Sequence, residues 1–246
     1  MEEARLPIDM IVGTSMGALV GATYAMGRNA SELEQLAERW GSKRLSLFAD
    51  PALPRTGLIR GRKIEDMLTA IIGDIEFKDL QIPFACIATD LESGREIVMN
   101  KGPVKKAVRA SISIPLILKP VRYEMGYLVD GGLSANVPVT TMKTFGMEFV
   151  IAVNATSPAQ AKHNRQILKK LNRKSRQPGI MHVMMRMMHI ISFQKTLADL
   201  QEADVIIQPE LGHIGWGDFH RVSECVAQGV LAAQSALPAI QRKLQL

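Results

Sequence analysis

Cysteine is scarce in this sequence, and long apolar runs are missing. Only two cysteines occur among the 246 residues, Cys86 and Cys225, and their wide separation matches neither a disulfide framework nor a metal-binding motif. Cys86 lies in an apolar run, so we expect a buried thiol. No apolar stretch approaches the roughly 20 residues that a transmembrane helix needs, and the first residues lack the basic and apolar regions of a signal peptide. These absences predict a cytoplasmic protein in a reducing compartment.

Motifs that hold common cofactors are also missing. The sequence contains no zinc-ligand spacing, no phosphate-binding loop and no internal repeat, so we expect no metal and no other cofactor. With 47% hydrophobic and 22% charged residues, the composition is that of an ordinary globular protein that can bury one sizeable core.

Acidic residues are absent from one strongly basic segment. The formal net charge of the chain is +6, which favours anionic partners. Residues 162–176 carry seven basic side chains and no acid: Lys162, Arg165, Lys169, Lys170, Arg173, Lys174 and Arg176. This segment is either a solvated face or a site of peripheral contact with an anionic membrane, in which Lys162–Arg176 meet phospholipid headgroups. We expect no nucleic acid, because no aromatic residues interleave with the basic ones and no binding motif is present.

Methionines cluster in the stretch that follows the basic segment. Five methionines fall within the eight residues from Met181 to Met188. Methionine is unbranched and polarisable, so such a cluster makes an adaptable apolar surface. We interpret most of it as core, and the alternative is an acyl-chain groove or a membrane contact.

The most informative stretch lies near the start of the chain. An apolar run, Ile8–Val12, is followed by Gly13-Thr14-Ser15-Met16-Gly17 and then by a helical pattern. A strand, G-x-S-x-G and a helix form the context of a nucleophile elbow, in which a sharp turn exposes the serine hydroxyl. The turn requires small residues at Gly13 and Gly17, and it aims the N–H groups after Ser15 at the reacting carbonyl. The alternative is a glycine-rich loop that only joins a strand to a helix.

A base for this serine is predicted at Asp130. Tyr127-Leu128-Val129 is a short predicted strand that leads into Asp130-Gly131-Gly132. Functional sites gather at the carboxyl ends of parallel strands, so we expect Ser15 and Asp130 to face each other. Gly131 and Gly132 allow a tight turn around the carboxylate. The alternative is a turn aspartate that only caps its own backbone.

Histidines offer a competing base. The order Ser15, Asp130 and then His213 or His220 matches the order of an α/β-hydrolase triad. That fold builds several strands before its nucleophile, whereas 14 residues precede Ser15 in this sequence. We therefore disfavour the triad.

Strands and helices alternate along the whole chain. This order predicts an α/β fold with a mostly parallel sheet covered on both faces, in a single domain spanning residues 1–246. Ser31 and Glu34 form an S-x-x-E pattern typical of a helix start, and residues 42–60 are predicted to be a long loop. The predicted helices are 31–40, 61–72, 104–111, 181–200 and 219–243, and the later strands are 83–89, 96–99, 127–129, 149–153 and 205–207.

Several blocks of the chain, taken in order, resemble one family. Besides Gly13–Gly17 and the turn after Asp130, these blocks are Ala88–Gly94, Ala107–Pro115, Leu128–Gly132, Asn136–Pro138 and Glu202–Pro209. The chain resembles a patatin-like phospholipase domain of the bacterial branch related to neuropathy target esterase. The resemblance implies a three-layer α/β/α fold and a serine–aspartate dyad without histidine. It also implies a phospholipid or lysophospholipid substrate, whose acyl ester Ser15 attacks while Asp130 takes the hydroxyl proton.

The sequence departs from this family at its start. The family places a glycine-rich loop, G-G-G-x-[RK]-G, after a first strand upstream of the serine, and the N–H groups of this loop form most of the oxyanion hole. Neither that strand nor that loop occurs in the sequence, so we expect an N-terminally truncated fold in which the Met16 N–H remains as the oxyanion donor. Removal of one oxyanion donor costs ~10²–10³ in rate. The expectation is therefore a poor hydrolase, and the alternative is a catalytically impaired module that binds lipid or a protein partner.

Overall fold

A computed structural model describes residues 1–41, 61–124, 126–156, 179–214 and 218–245. The predicted loop at 42–60 and the basic segment 162–176 lie outside these residues. The strands are β1 (Ile11–Thr14), β2 (Phe84–Asp90), β3 (Glu96–Met99), β4 (Val121–Tyr123), β5 (Gly126–Asp130), β6 (Ile151–Val153) and β7 (Val205–Ile207). The helices are α1 (Met16–Ala25), α2 (Ala30–Gly41), α3 (Arg62–Ile71), α4 (Val104–Ser111), α5 (Val139–Thr144), α6 (Ile180–Leu200) and α7 (Val222–Leu244).

The α/β fold class is confirmed, but the described sheet is mixed rather than mostly parallel. β1 pairs with β2 in parallel, whereas β2 pairs with both β3 and β5, and β4 with β5, in antiparallel register. Two of these antiparallel pairs, β2 with β3 and β4 with β5, join consecutive strands, as hairpins do. The third, β2 with β5, joins strands that are distant in the sequence. β6 and β7 form a separate parallel pair.

β1 and β5 share one edge of β2. The antiparallel strand β3 pairs with all of Cys86–Thr89 and thus occupies the other edge. On the shared edge, Ile87 pairs with Thr14 at the end of β1, and Ala88 pairs with Asp130 at the end of β5. The two strands run in opposite directions along β2 and end against each other, so the turns that follow them are brought together.

Helices cover this sheet and bury its apolar face. α1, α3 and α4 contribute small and aliphatic side chains to the main core, which they share with β2. β2 is buried along almost its whole length, as its apolar run predicts. Cys86 is fully buried there, as we expected, and burial raises the pKa of its thiol.

Most predicted elements are present, with shifts at their ends. The first strand begins at Ile11 rather than at Ile8. The N-terminal capping pair of α2 is Asn29 and Glu32, whose side chains each accept the other's backbone N–H, so the prediction that placed this box at Ser31 was wrong by two residues. β4 and α5 were not predicted, because three-residue strands and six-residue helices leave a weak periodic signal.

Candidate active site

Ser15 stands at the point where β1 turns into α1. Its backbone has φ 54° and ψ −118°, a left-handed conformation that is rare for a residue with a Cβ atom and costs about 1–3 kcal/mol. Its carbonyl accepts the N–H groups of Ala18 and Leu19, so α1 starts at once. A strained serine between a strand and a helix is the geometry that the G-x-S-x-G pattern predicts.

The two glycines of the elbow differ in what they contact. A Cβ atom on Gly13 would press into the backbone carbonyl of Gly17, so only glycine fits at position 13. A Cβ atom on Gly17 would meet no atom of the described residues within 4 Å. The requirement for a small side chain therefore holds for Gly13. At position 17 a Cβ atom has room, so the packing does not require glycine itself there.

The structure brings Ser15 and Asp130 together. The Ser15 hydroxyl donates to Oδ2 of Asp130 at 2.6 Å. The other carboxylate oxygen, Oδ1, accepts the backbone N–H of Gly132 at 2.8 Å. Asp130 thus caps its own turn with one oxygen and accepts the serine hydroxyl with the other, so its contacts go beyond those of a turn aspartate.

The environment of Asp130 makes it a stronger base than an ordinary aspartate. The residue is 8% exposed, and its burial raises the pKa of the carboxyl to about 6, while the hydrogen bonds from Ser15 and Gly132 lower it and offset part of this effect. At neutral pH the group is therefore ionised and can accept a proton. Its affinity for that proton is higher than that of a solvated carboxylate.

Two further contacts hold the turn after Asp130 against the elbow. The Thr14 hydroxyl donates to the carbonyl of Ala135 at 2.7 Å, so Thr14 joins β1 to this turn and its side chain is buried. A Cβ atom on Gly131 would collide with the carbonyl of Ile87. Glycine at position 131 therefore lets the turn lie directly on β2.

The start of α1 presents backbone donors beside Ser15. A helix leaves its first N–H groups without intrahelical acceptors, and in α1 those of Ala18 and Leu19 bond to the Ser15 carbonyl. The N–H groups of Met16 and Gly17 precede them and lie at the positive end of the helix dipole. The sequence predicted the Met16 N–H as the remaining oxyanion donor, and Gly17 is a second candidate donor. The Met16 side chain is 51% exposed.

Neither histidine of the alternative triad lies in this site. His213 Nε2 and Glu224 Oε1 are 2.5 Å apart, and Arg221 also donates to Glu224. His213 and His220 are exposed, whereas Asp130 is buried among β2, β5 and α4. The hydrogen bonds described for the Asp130 carboxylate come from Ser15 and Gly132.

Two serines at the end of α4 and just beyond it contact the site, and no motif predicted them. Ser111 Oγ accepts the backbone N–H of Ser15 at 2.9 Å, and the Ser113 carbonyl accepts the backbone N–H of Asp130 at 2.9 Å. Both serines are fully buried. They fall in the block Ala107–Pro115 that carries part of the family resemblance, but no periodicity or spacing assigns them a role.

Within the described parts of the chain, no group of three or more His, Cys, Asp or Glu side chains could hold a metal ion. No helix of those parts combines the length and the apolar character needed to cross a bilayer.

Comparisons with known proteins place the chain in a family. The family model described as patatin-like phospholipase matches residues 1–143. An uncharacterized NTE family protein of Mycobacterium tuberculosis is 28% identical over 97% of this chain and 43% of its own length. Neuropathy target esterase sws of Drosophila melanogaster is 30% identical over 64% of this chain and 11% of its own length.

A lysophospholipase of Meyerozyma guilliermondii is 32% identical, also over 64% of this chain and 11% of its own length. The chain thus spans less than half the length of these relatives. The region that the family model matches, residues 1–143, contains both Ser15 and Asp130. The chain belongs to the patatin-like phospholipase family, on the branch related to neuropathy target esterase.

Proposed function

We propose that this chain is a serine acyl-ester hydrolase that acts on phospholipids or lysophospholipids, with Ser15 as nucleophile and Asp130 as base. The observation that carries the proposal is the 2.6 Å hydrogen bond from the Ser15 hydroxyl to the buried carboxylate of Asp130. A relative carries the name lysophospholipase, which supports a lipid ester as the substrate class.

The proposed reaction begins with a proton transfer from Ser15 to Asp130. As Oδ2 takes the hydroxyl proton, Oγ attacks the ester carbonyl and a tetrahedral intermediate forms. The negative charge on its oxygen is stabilised by the N–H groups of Met16 and Gly17 and by the helix dipole of α1. When the intermediate collapses, the alcohol leaves with the proton from Asp130, and the acyl group stays on Ser15.

The second half of the reaction repeats these steps with water. Asp130 takes a proton from water, the resulting hydroxide attacks the acyl-serine, and the proton returns to Ser15 Oγ as the fatty acid is released. A histidine is not needed, because burial gives Asp130 the proton affinity that a solvated aspartate lacks.

The test is hydrolysis of a lysophospholipid by the wild type and by Ser15→Ala and Asp130→Asn. Each variant is expected to lose at least about 10³-fold in kcat, the order seen when nucleophile or base is removed from a hydrolase. Ser235→Ala is the control, because this exposed serine of α7 bonds the Leu231 carbonyl of its own helix. Undiminished turnover by Ser15→Ala would overturn the proposal. Lipid binding without turnover by the wild type would favour the catalytically impaired module.

We further propose that α6 carries the surface by which the protein contacts an anionic lipid aggregate. Large apolar side chains line its solvent-facing side: Ile180, Val183, Met184, Met187, Ile190, Ile191 and Leu197. Most of these positions recur every three or four residues, so they form one stripe along the helix. Lys195 of the same helix donates to the carbonyl of Ser134, four residues after Asp130, which places the stripe on an element that adjoins the site.

The charge of the surrounding sequence complements an anionic surface. Residues 155–198 contain no Asp or Glu and include nine Lys or Arg residues: the seven of segment 162–176, Arg186 and Lys195. The rest of the chain therefore has 21 basic and 24 acidic residues, from totals of 30 and 24, and is net negative. An apolar helix face within the basic part of the chain is the pattern of a peripheral membrane contact.

A further inference from the structure

The backbone of the nucleophile is held by a side chain from another helix. The hydroxyl of Ser111, the last residue of α4, accepts the Ser15 N–H at 2.9 Å and donates to the Ile87 carbonyl at 2.5 Å. Ser111 is fully buried. Its hydroxyl thus forms a bridge from the elbow to β2.

The direction of each hydrogen bond in this bridge is determined by the groups involved. The carbonyl of Ile87 can only accept, so the single hydroxyl proton of Ser111 points to it. The lone pairs of Ser111 Oγ are then left for the N–H of Ser15. The bridge begins at the residue of β2 that pairs with Thr14, where the chain leaves the parallel ladder to form the elbow.

This bridge satisfies a group that the elbow would otherwise leave unpaired. The parallel pairing of β1 with β2 ends at Thr14, and the N–H of the next residue, Ser15, donates to the Ser111 hydroxyl instead of to β2. A buried N–H without an acceptor is costly, so the hydroxyl of Ser111 favours the strained conformation over alternatives that would turn the same N–H toward another acceptor. The same short segment also accepts the Asp130 N–H through the Ser113 carbonyl.

We propose that Ser111 is a positioning residue for the nucleophile. Its hydroxyl keeps the Ser15 backbone in the conformation that points Oγ at Asp130 and the Met16 N–H at the developing oxyanion. This inference rests on the proposed hydrolase function. Ser111 itself does not touch the reacting atoms, because its hydroxyl is engaged on the buried side of the elbow.

Loss of the bridge has a specific expected effect. In Ser111→Ala the Ser15 N–H loses its acceptor, and the elbow can relax by a fraction of an ångström. Small misplacements of reacting groups reduce rate by up to about 10²-fold. We expect kcat to fall between about 10- and 100-fold while KM stays within about 3-fold, because the defect appears in the attack geometry rather than in the binding of the lipid.

The experiment compares four variants of the full chain with the wild type. Ser111→Ala removes the hydroxyl, Ser111→Cys keeps a side chain of similar size with a much weaker acceptor, and Ser15→Ala removes the nucleophile. Thr23→Val is the matched control, because it removes another buried hydroxyl, one that bonds the Leu19 carbonyl within α1, eight residues after Ser15. The readouts are kcat and KM for a p-nitrophenyl ester, the rate of covalent labelling by a fluorophosphonate, and thermal unfolding.

The outcomes separate this inference from the proposed function. If the wild type is not labelled, or if Ser15→Ala is labelled equally, the proposed function fails. If the wild type is labelled and Ser111→Ala keeps its kcat, the positioning role is overturned. An equal loss of kcat in Thr23→Val also overturns it, since the effect would then be general destabilisation. Should Ser111→Ala not fold, Ser111→Cys decides: reduced kcat with unchanged KM supports the role, and unchanged kcat refutes it.

Discussion

The Ser15 hydroxyl lies 2.6 Å from the Asp130 carboxylate, although the strands that carry the two residues run in opposite directions. β1 is parallel to β2 and β5 is antiparallel to it, and both pair with the same edge of β2. The nucleophile and the base therefore meet where two strands end against each other. The two side chains face each other, as the sequence predicted. The reason for that prediction, that both residues follow parallel strands, was wrong, because β5 is antiparallel to β2.

The rate of hydrolysis should depend on the ionisation of Asp130. Burial raises the pKa of its carboxyl to about 6, and only the ionised form can accept the proton of Ser15. We expect kcat/KM to rise with pH and to reach half of its plateau near the pKa of the free enzyme, at about pH 6. A pH–rate profile with a p-nitrophenyl ester measures this midpoint. A midpoint at about pH 4, the pKa of an unperturbed aspartate, would contradict the conclusion that burial raises the pKa of Asp130.

The buried carboxylate should lower the stability of the folded protein at neutral pH. Because the pKa of Asp130 is higher in the folded state than in the unfolded chain, the folded state binds the proton more tightly, and stability falls as pH rises from about 4 to about 6. Above that range the ionised carboxylate lowers the free energy of unfolding by on the order of 3 kcal/mol, because its pKa is about 6 in the folded protein and 3.8 without burial.

Asp130→Asn removes this cost. We expect the variant to be more stable than the wild type at about pH 8 and to differ little from it at about pH 4, where the native carboxyl is protonated. Urea unfolding at the two pH values measures the difference. If the free energies of unfolding of the variant and the wild type differ by the same amount at both pH values, ionisation of Asp130 does not contribute to that difference.

The two elbow glycines should respond differently to alanine. In Gly13→Ala the new methyl group meets the backbone of Gly17, and overpacking of this kind costs about 1–3 kcal/mol. Gly17→Ala is the matched control: it lies in the first turn of α1, meets no described atom, and should be neutral or slightly stabilising because alanine favours helix. Thermal unfolding of the two variants gives the comparison. Equal destabilisation would contradict the described packing.

Binding to anionic vesicles should depend on the apolar stripe of α6. Replacing Met187 and Ile191 by glutamine removes large exposed apolar side chains from this stripe, so we expect weaker co-sedimentation with phosphatidylserine-containing vesicles. The control has glutamine in place of Val230 and Leu231, which are similarly exposed on α7. It should bind the vesicles as the wild type does.

Vesicle binding should also depend on the basic segment 162–176. Glutamine at Lys169, Lys170, Arg173 and Lys174 should weaken vesicle binding, and added salt should do the same, since salt screens exposed charges. Vesicle binding that is unaffected by these substitutions and by salt would return the segment to a solvated face. If the α7 control loses as much vesicle binding as the α6 variant, α6 is not part of the proposed surface.

Local sequence patterns determined much of this protein. The glycines around Ser15 and after Asp130 mark turns whose geometry depends on a few adjacent residues, and the structure has the predicted turns at both places. Apolar periodicity likewise predicted α3, and a continuous apolar run predicted β2, each to within two residues. Such features could be predicted because each one is a property of a short segment.

Tertiary structure alone decided how these segments meet. An alternating or apolar strand pattern is the same whether the strand runs parallel or antiparallel, so the sequence could not show that β5 ends against β1. The raised pKa of Asp130 is caused by burial among elements that are distant in sequence. The bridge from Ser15 through Ser111 to Ile87 joins three separate elements by single hydrogen bonds, and such bonds leave no period or spacing in a sequence.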